Sequence, residues 1–424
     1  MESMASSTTE GSRTALEEDD REELEELLSV YGRGGPKLVL TRGIWEPVET
    51  DGGVVRLKGV LMFKNESKRQ ELFVPEVRAS ARVLSKGCTD GVLARVNINP
   101  RHDLSDGYGS PDSTPREDGY WSTYILQGGS KTYLELAVEL VAQQRSTGSE
   151  ALSKITACCV EVDYECYGPS GLSEHKQHVV IPVDFPDPSL PPLEVTDLDQ
   201  SDRDFKVYSI PTHLLFHGDD PLSVVEKYVK PHAVEGDIVV VAETPLAIMQ
   251  GRYRHPSTIK PSLLARVLCK LFHPTSSVAT ACGMQALLDL VGPLRAILAA
   301  FLGVLCRALR LQRGVFYKVA GEQASLLDDI SGTIAPYDKF ICLGPRGSDA
   351  FVRQVKQRFG LSAAVVDVND LSKKTKMLTI LARTRDVDED FVREVLLPNP
   401  AGNADQQTPF VLIRPASPQQ GEAA

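Results

Sequence analysis

The chain lacks the short motifs that mark most nucleotide- and metal-dependent enzymes. No Gly-x-x-x-x-Gly-Lys occurs, which excludes a Walker-type phosphate loop, and no Gly-x-Gly-x-x-Gly opens a dinucleotide fold. Neither Gly-x-Ser-x-Gly nor His-Glu-x-x-His is present, so neither a serine-hydrolase elbow nor a zincin helix is encoded. The eight cysteines include no Cys-x-x-Cys and no His/Cys grouping at zinc spacing. They read as reduced and mostly buried thiols, as expected of a soluble intracellular protein of the cytoplasm or plastid stroma. Asn65-Glu66-Ser67 fits a glycosylation sequon, but no signal peptide accompanies it.

Positive charge is also scarce. The formal net charge is −11, whereas a protein that grips phosphate backbones is normally basic, so no nucleic-acid partner is expected. Long apolar runs are missing too. The most apolar stretch, Ala296 to Cys306, is bounded by Arg295 and Arg307. At helical rise it spans about 16 Å against a hydrocarbon layer of roughly 30 Å, so it reads as a core helix rather than a membrane-dipping one. The N-terminus has no signal-peptide core and is too acidic for an ordinary transit peptide.

What is present is a chain of 424 residues, enough for two or three domains. Residues 1–30 hold ten acids against two basic residues, and residues 1–35 read as an acidic tail. Leu24, Leu27 and Leu28 allow a short helix there, without a rigid core. Residues 36–184 have β patterning. Val55, Leu57, Leu61 and Phe63 alternate with Arg56, Lys58 and Met62, and Leu134, Leu136, Val138 and Leu140 alternate with Glu135 and Glu139. Val160, Val162, Tyr164 and Cys166 alternate with Glu161, Asp163 and Glu165. Period-two alternation means one buried and one wet face, and with strands at 37–41, 71–84, 92–99 and 179–184 it predicts an immunoglobulin-like β-sandwich. Residues 102–118, rich in Gly, Pro, Ser and Asp, read as a long exposed loop. Residues 185–204, with four prolines and five aspartates, read as a linker. A second domain is expected over 205–415 and a tail over 416–424.

The second domain is organised around 234–254. A polar turn, Glu235-Gly236-Asp237, precedes Ile238-Val239-Val240-Val241-Ala242, the composition of a strand buried on both faces. The chain then delivers Gln250-Gly251-Arg252. On residue type Gly251 makes a turn with Arg252 on the surface; alternatively the pair holds an anionic group. Asp220-Pro221 starts a helix, 261–272 has helical spacing, and 348–359 is a helix stopped by Gly360. A second buried strand, 362–368, ends at Asp367, and 408–414 is the last strand. Strand, helix and strand with an acid at the last C-terminal end is α/β-like within a mixed α+β chain.

Glu243, Glu322, Asp328, Asp329, Asp338, Asp367, Asp370 and Asp405 lie near loops of this domain. Two or three such carboxylates suit Mg or Mn bridging to phosphates, and Asp367 is the best placed because a buried strand fixes it. The plainer role is capping of helices and turns. Cys282 precedes an apolar helix but has no acid–base partner by spacing, and reads as a buried thiol.

An ordered series of stretches resembles the coenzyme F-420:gamma-glutamyl ligase family. It comprises Ser209-Ile210-Pro211, His217-Gly218-Asp219-Asp220, 235–241 with Gln250-Gly251-Arg252, Ala320-Gly321-Glu322-Gln323, Gly344-Pro345, the 348–359 helix, 364–367 and 408–414. Ala281-Cys282-Gly283-Met284-Gln285 and Gly402-Asn403-Ala404-Asp405 resemble the variant of cyanobacteria and photosynthetic eukaryotes. The resemblance implies a gamma-glutamyl-ligase-like α+β domain, commonly a homodimer, that uses GTP with Mg or Mn to form an amide through an acyl phosphate. It implies nucleotide contacts from Gln250, Gly251 and Arg252 and metal ligation by Asp367 and Glu322. Gln323, Asp338, Asn403 and Asp405 are further candidates. Three positions depart from the family pattern. Ala247-Ile248 replaces a Ser-Lys pair, Gln323 best matches an acid, and Val368-Asn369-Asp370-Leu371 follows Asp367 where the family has cationic residues. Lost cations mean lost phosphate neutralisation. Residues 59–65 are similar to the late-embryogenesis water-stress type of β domain.

The expected function is therefore metal- and nucleotide-dependent glutamyl ligation on an unknown carboxylate, with a small carboxylate- or phosphate-bearing ligand as partner. The competing expectations are a non-catalytic binding or scaffold protein on the same fold, and a transferase acting on another phosphorylated acid.

Overall fold

The computed structural model describes residues 19–32, 35–51, 53–87, 89, 91–106, 118, 120–142, 150–195, 205–274, 276–311, 314–329, 334–369, 377–396, 400 and 406–415. It divides into two compact units. The first comprises Met1–Asp184, Gly251–Ile330 and Lys339–Ile341, and the second comprises Phe185–Gln250, Ser331–Asp338 and Cys342–Ala424. The expected block 205–415 is thus split at the Gln250–Gly251 peptide.

The β part of the first unit is a two-sheet sandwich. In one sheet Val54–Asn65 pairs antiparallel with Leu38–Leu40 and with Lys131–Ala142, which pairs in turn with Val92–Arg101. In the other, Ile155–Gly168 pairs with Gly171–Pro182, Val77–Ser85 and Leu72–Val74, and Tyr124–Leu126 lies beside Leu72–Val74. The alternation predicted from sequence is what fills the space between them. Val55, Leu57, Leu61, Phe63, Leu134, Leu136, Val138, Leu140, Val160, Val162, Tyr164 and Cys166 all belong to one buried cluster. Met62, expected on the wet side, is buried as well. Residues 102–104 form a 3-10 turn that buries His102 against Thr132 and Tyr124. Residues 107–117 of the expected loop lie outside the described residues.

Residues 19–31 are helical, where a tail without a rigid core was expected. Leu27 and Tyr31 join Val39 in a small cluster, with Leu24 and Leu28 packed on it. The same unit contains the helices Leu263–Leu268, Ala281–Val291, Pro293–Ala308 and Val315–Ala320. Thr280 caps Ala281–Val291, its hydroxyl accepting from Gly283 N–H. Gly292, at φ 84°, turns the chain, and Pro293 opens the next helix at an angle of 115° to the last.

Pro293–Ala308 is not the core helix its hydropathy suggests. Ala296, Ala299 and Ala300 are its buried residues, while Leu294 is 83% and Phe301 63% exposed. The small side chains let neighbours approach closely: a methyl group on Gly303 would stand 3.3 Å from Phe316 Cβ. The large side chains face outward. Leu263, Val267 and Leu271 are likewise exposed, whereas Ala265 and Leu268 are buried.

The second unit is built on a six-stranded sheet. Its order is Leu193–Glu194, Phe205–Ile210, Phe410–Pro415, Ile238–Ala242, Ser362–Asn369 and Met377–Arg383. Ile238–Ala242 runs parallel to Ser362–Asn369 and antiparallel to Phe410–Pro415. Its first four residues are buried, as its β-branched composition requires. Val240, Ala364, Val366, Val411 and Ile413 form a core with Val392, Val395 and Leu396 of the helix Glu389–Leu396. Asp220 caps the helix Pro221–Val224 through Ser223 N–H at 2.8 Å, and Ser348–Phe359 ends at Gly360, φ 73°. Residues 196–204 of the expected linker and the tail 416–424 lie outside the described residues.

Candidate functional site

The position the sequence singled out, Gly251-Arg252, lies in the first unit. Gly251 adopts φ 67°, a left-handed turn that glycine permits, and Tyr253 N–H donates back to Gly251 O at 3.0 Å. The turn sends Arg252 inward rather than to the surface: it is 0% exposed. Its Nη1 donates to Glu26 Oε1 at 2.7 Å and its Nη2 to Gln323 Oε1 at 2.9 Å. Ser29 donates to the same Glu26 oxygen at 3.1 Å. Burying a guanidinium without a counter-charge is prohibitive, so Glu26 on the N-terminal helix holds Arg252 in the interior.

Two more buried arginines stand nearby. Arg254 Nη1 donates to Asp289 Oδ2 at 2.6 Å, and its guanidinium lies 5.0 Å from the Tyr31 ring. Arg42 Nη2 donates to Tyr253 O at 2.9 Å, and the guanidinium covers the Tyr253 ring at 4.3 Å. Glu23 accepts from the backbone N–H groups of Arg42 and Gly43. Burial pushes the Glu23 carboxyl up to about 7, with Arg42 opposing the shift. The cavity bordered by Tyr31, Arg42, Gln177, Tyr253 and Arg254 measures about 10 Å³. A ligand pocket is typically several hundred Å³, far larger than this cavity.

Beside it, Ser257 Oγ stands 2.9 Å from His178 Nε2 and 2.8 Å from His255 Nδ1, and His178 Nδ1 is 3.5 Å from Glu161. The order hydroxyl, imidazole, carboxylate is that of a nucleophile with its base. The electrostatics argue against that use. Burial holds His178 down at about 4, which makes it a weak base, and lowers His255 too. Ser257 N–H is already given to His255 Nδ1 at 3.3 Å, not to an oxyanion. The two imidazole rings lie with centroids 4.0 Å apart, tilted by 34°.

Of the residues expected to hold nucleotide or metal, Arg252 and Gln323 are brought together. Glu322 is exposed on the short helix Glu322–Ser325, where its carbonyl accepts from Ser325 Oγ at 2.7 Å. Gln250, in the second unit, exchanges hydrogen bonds of 2.8 Å with the backbone of Arg346, a structural clasp between two loops. Asp367 is half-buried, and its carboxyl is raised by burial. Asp338 has one buried oxygen without a hydrogen-bond partner. Asn403, Asp405 and Asp370 lie outside the described residues. Asp329 accepts from the Thr280 hydroxyl, the side chain that caps Ala281–Val291, and Cys282 is half-buried with its thiol raised by burial. Among the described residues no group of three or more His, Cys, Asp or Glu is placed to hold a metal ion.

Residues 39–185 match the family model described as the N-terminal Ig-like domain of F420-0:gamma-glutamyl ligase. The match spans the sandwich and supports its Ig-like fold. No curated protein matches the chain. Among solved structures, the GAE domain of GGA2p from Saccharomyces cerevisiae is 12% identical at a TM-score of 0.19, covering 35% of this chain and 92% of its own. The yeast GGA1 GAE domain is 11% identical at 0.18, covering 35% and 92%. A PapD-like domain of human CEP192 is 8% identical at 0.16, covering 34% and 82%. We draw nothing from likenesses at these TM-scores.

Proposed function

We propose that the chain is a coenzyme F-420:gamma-glutamyl-ligase-like protein that keeps the family's architecture as a binding or scaffold protein rather than as an amide-bond ligase. One observation carries the reading: Arg252 is 0% exposed, with its two terminal nitrogens on Glu26 and Gln323. A phosphate on Arg252 would have to displace Glu26, exchanging one anion for another at the cost of unpacking a helix. The loss of the family's lysine at Ala247-Ile248 and of an acid at Gln323 points the same way.

The competing reading is glutamyl ligation with GTP and a divalent cation. It is favoured by one feature, the 30% exposure of the Glu26 side chain, which lets water and a rival anion reach the pair. Thermal denaturation of the full chain with GTP or ATP, each with Mg or Mn, separates the two. The scaffold reading expects no nucleotide-dependent shift and no incorporation of radiolabelled glutamate into a carboxylate acceptor. A metal-dependent nucleotide shift that grows in Glu26→Gln would sink it in favour of the ligase. In that event Asp367→Asn should reduce the metal-dependent part.

A further inference from the structure

Among the described residues the large apolar side chains of Pro293–Ala308 are left exposed. Its side chains recur at helical spacing: Leu294, Ile297, Leu298, Phe301, Val304 and Leu305, all between 41% and 83% exposed. The buried Ala296, Ala299 and Ala300 occupy the opposite side. Placing the large apolar residues outside and the alanines inside inverts the usual surface helix. Leu309 and Leu311 extend the exposed series, and the helix Leu263–Leu268 with its following turn adds Leu263, Val267 and Leu271.

Charge identifies what covers this face. Residues 255–321 contain eight lysines and arginines and a single acid, Asp289, inside a chain of net charge −11. Asp289 is itself neutralised by Arg254 at 2.6 Å. Arg266, Lys270, Arg307, Arg310 and Lys318, on or next to these apolar helices in sequence, are exposed. Screening confines charge effects to about 8 Å at physiological salt, so a docked surface feels these cations more than the distant acids. An apolar face interleaved with arginines is the chemistry of a helix lying in a membrane interface, with stems buried and guanidinium groups at the headgroups. A second copy is disfavoured, because two-fold pairing of this face would set the same cations against each other. Among the described residues no single helix is long and apolar enough to cross a bilayer; Ala281–Val291 and Pro293–Ala308 pass that test only as a pair bent by 115°, and Met284, Ala286, Leu287 and Leu288 of the first are buried in the unit, which favours a contact at the interface.

We propose that the helices Leu263–Leu268 and Pro293–Ala308 dock this protein onto the surface of an anionic lipid bilayer. Flotation of the full chain with vesicles tests it, using phosphatidylcholine alone and with about 30% phosphatidylserine at low and high salt. The protein should float with the anionic vesicles and not with the neutral ones, and high salt should release it. Leu298→Glu with Phe301→Glu should abolish flotation while the circular dichroism spectrum stays that of wild type, since both side chains are exposed. Arg307→Gln and Arg310→Gln should each weaken partitioning about fivefold. Absence of flotation at low salt, equal flotation with neutral vesicles, or wild-type flotation of the Glu variant overturns the proposal. So does a dimer that the Glu variant dissociates without any lipid binding.

Discussion

Arg252 and Glu26, 226 positions apart in the chain, meet at 2.7 Å with the guanidinium wholly withdrawn from water. The arginine is fixed by the turn at Gly251, and the carboxylate is delivered by a helix at the other end of the sequence. The pair therefore ties the N-terminal helix to the first unit.

The two sides of this pair are not equivalent. Glu26→Ala takes the carboxylate away from the buried Arg252, and should cost about 3 kcal/mol in urea denaturation. Arg252→Met leaves Glu26 partly exposed and free to turn to solvent, and should cost less, about 1 kcal/mol. Equal costs would mean that Arg252 reaches water in solution.

Much of the sandwich is legible in the sequence, and the arginine centre is not. Val160, Val162, Tyr164 and Cys166 announce their face because a strand's alternation is a local property. Ile238–Ala242 is likewise legible as a doubly buried strand. Arg252 reads as a surface residue because its partner lies far away in a segment that composition marks as a tail. Arg254, two positions on, was a usable signal, since alternate residues of an extended segment share a side. The inversion of Pro293–Ala308 is illegible for another reason. Hydropathy counts leucines as interior, and here close helix packing selects alanines for the interior instead.

Glu23 gives the first unit a pH dependence of unusual sign. Burial raises its carboxyl from 4.5 to about 7 in the folded protein. The folded state then binds more protons than the unfolded one between those values. Its contribution is fully present below pH 4.5, falls as pH rises to 7, and is constant beyond. Glu23→Gln mimics the protonated form and should remove this slope from denaturation midpoints measured across the range. An unchanged slope would show that Glu23 titrates normally.

The buried histidines act in the opposite sense. His102 lies stacked on Tyr124 at 3.7 Å and is held down at about 4 by burial, with Asp103 opposing. The unfolded chain binds the extra proton, so stability is full above pH 6.5 and is lost as pH falls toward 4. The loss is at most about 3 kcal/mol. His102→Gln should flatten the acid limb relative to wild type even if the variant is less stable throughout. Because Glu23 and His102 oppose each other over the same interval, the wild-type profile should be flatter than either variant predicts alone.

The second unit offers a mirror of the Arg252 pair. Here the acid is buried and the arginine reaches solvent: Asp237 is 1% exposed and Arg414 31%. The carboxylate accepts from Arg414 Nε at 3.0 Å and Nη2 at 2.9 Å, and from Val234 N–H at 2.9 Å. This fork joins the turn before Ile238–Ala242 to the neighbouring strand Phe410–Pro415. Arg414→Ala strands a buried carboxylate and should cost about 3–5 kcal/mol. Asp237→Asn keeps the Val234 hydrogen bond and lets Arg414 swing into water, so about 2 kcal/mol is expected. Arg414→Lys, which restores charge without the planar fork, should recover only part of the loss. Hydrogen exchange along 238–242 reads the effect directly, and faster exchange in Asp237→Asn than in Arg414→Ala would reverse the assignment of which partner is the buried one.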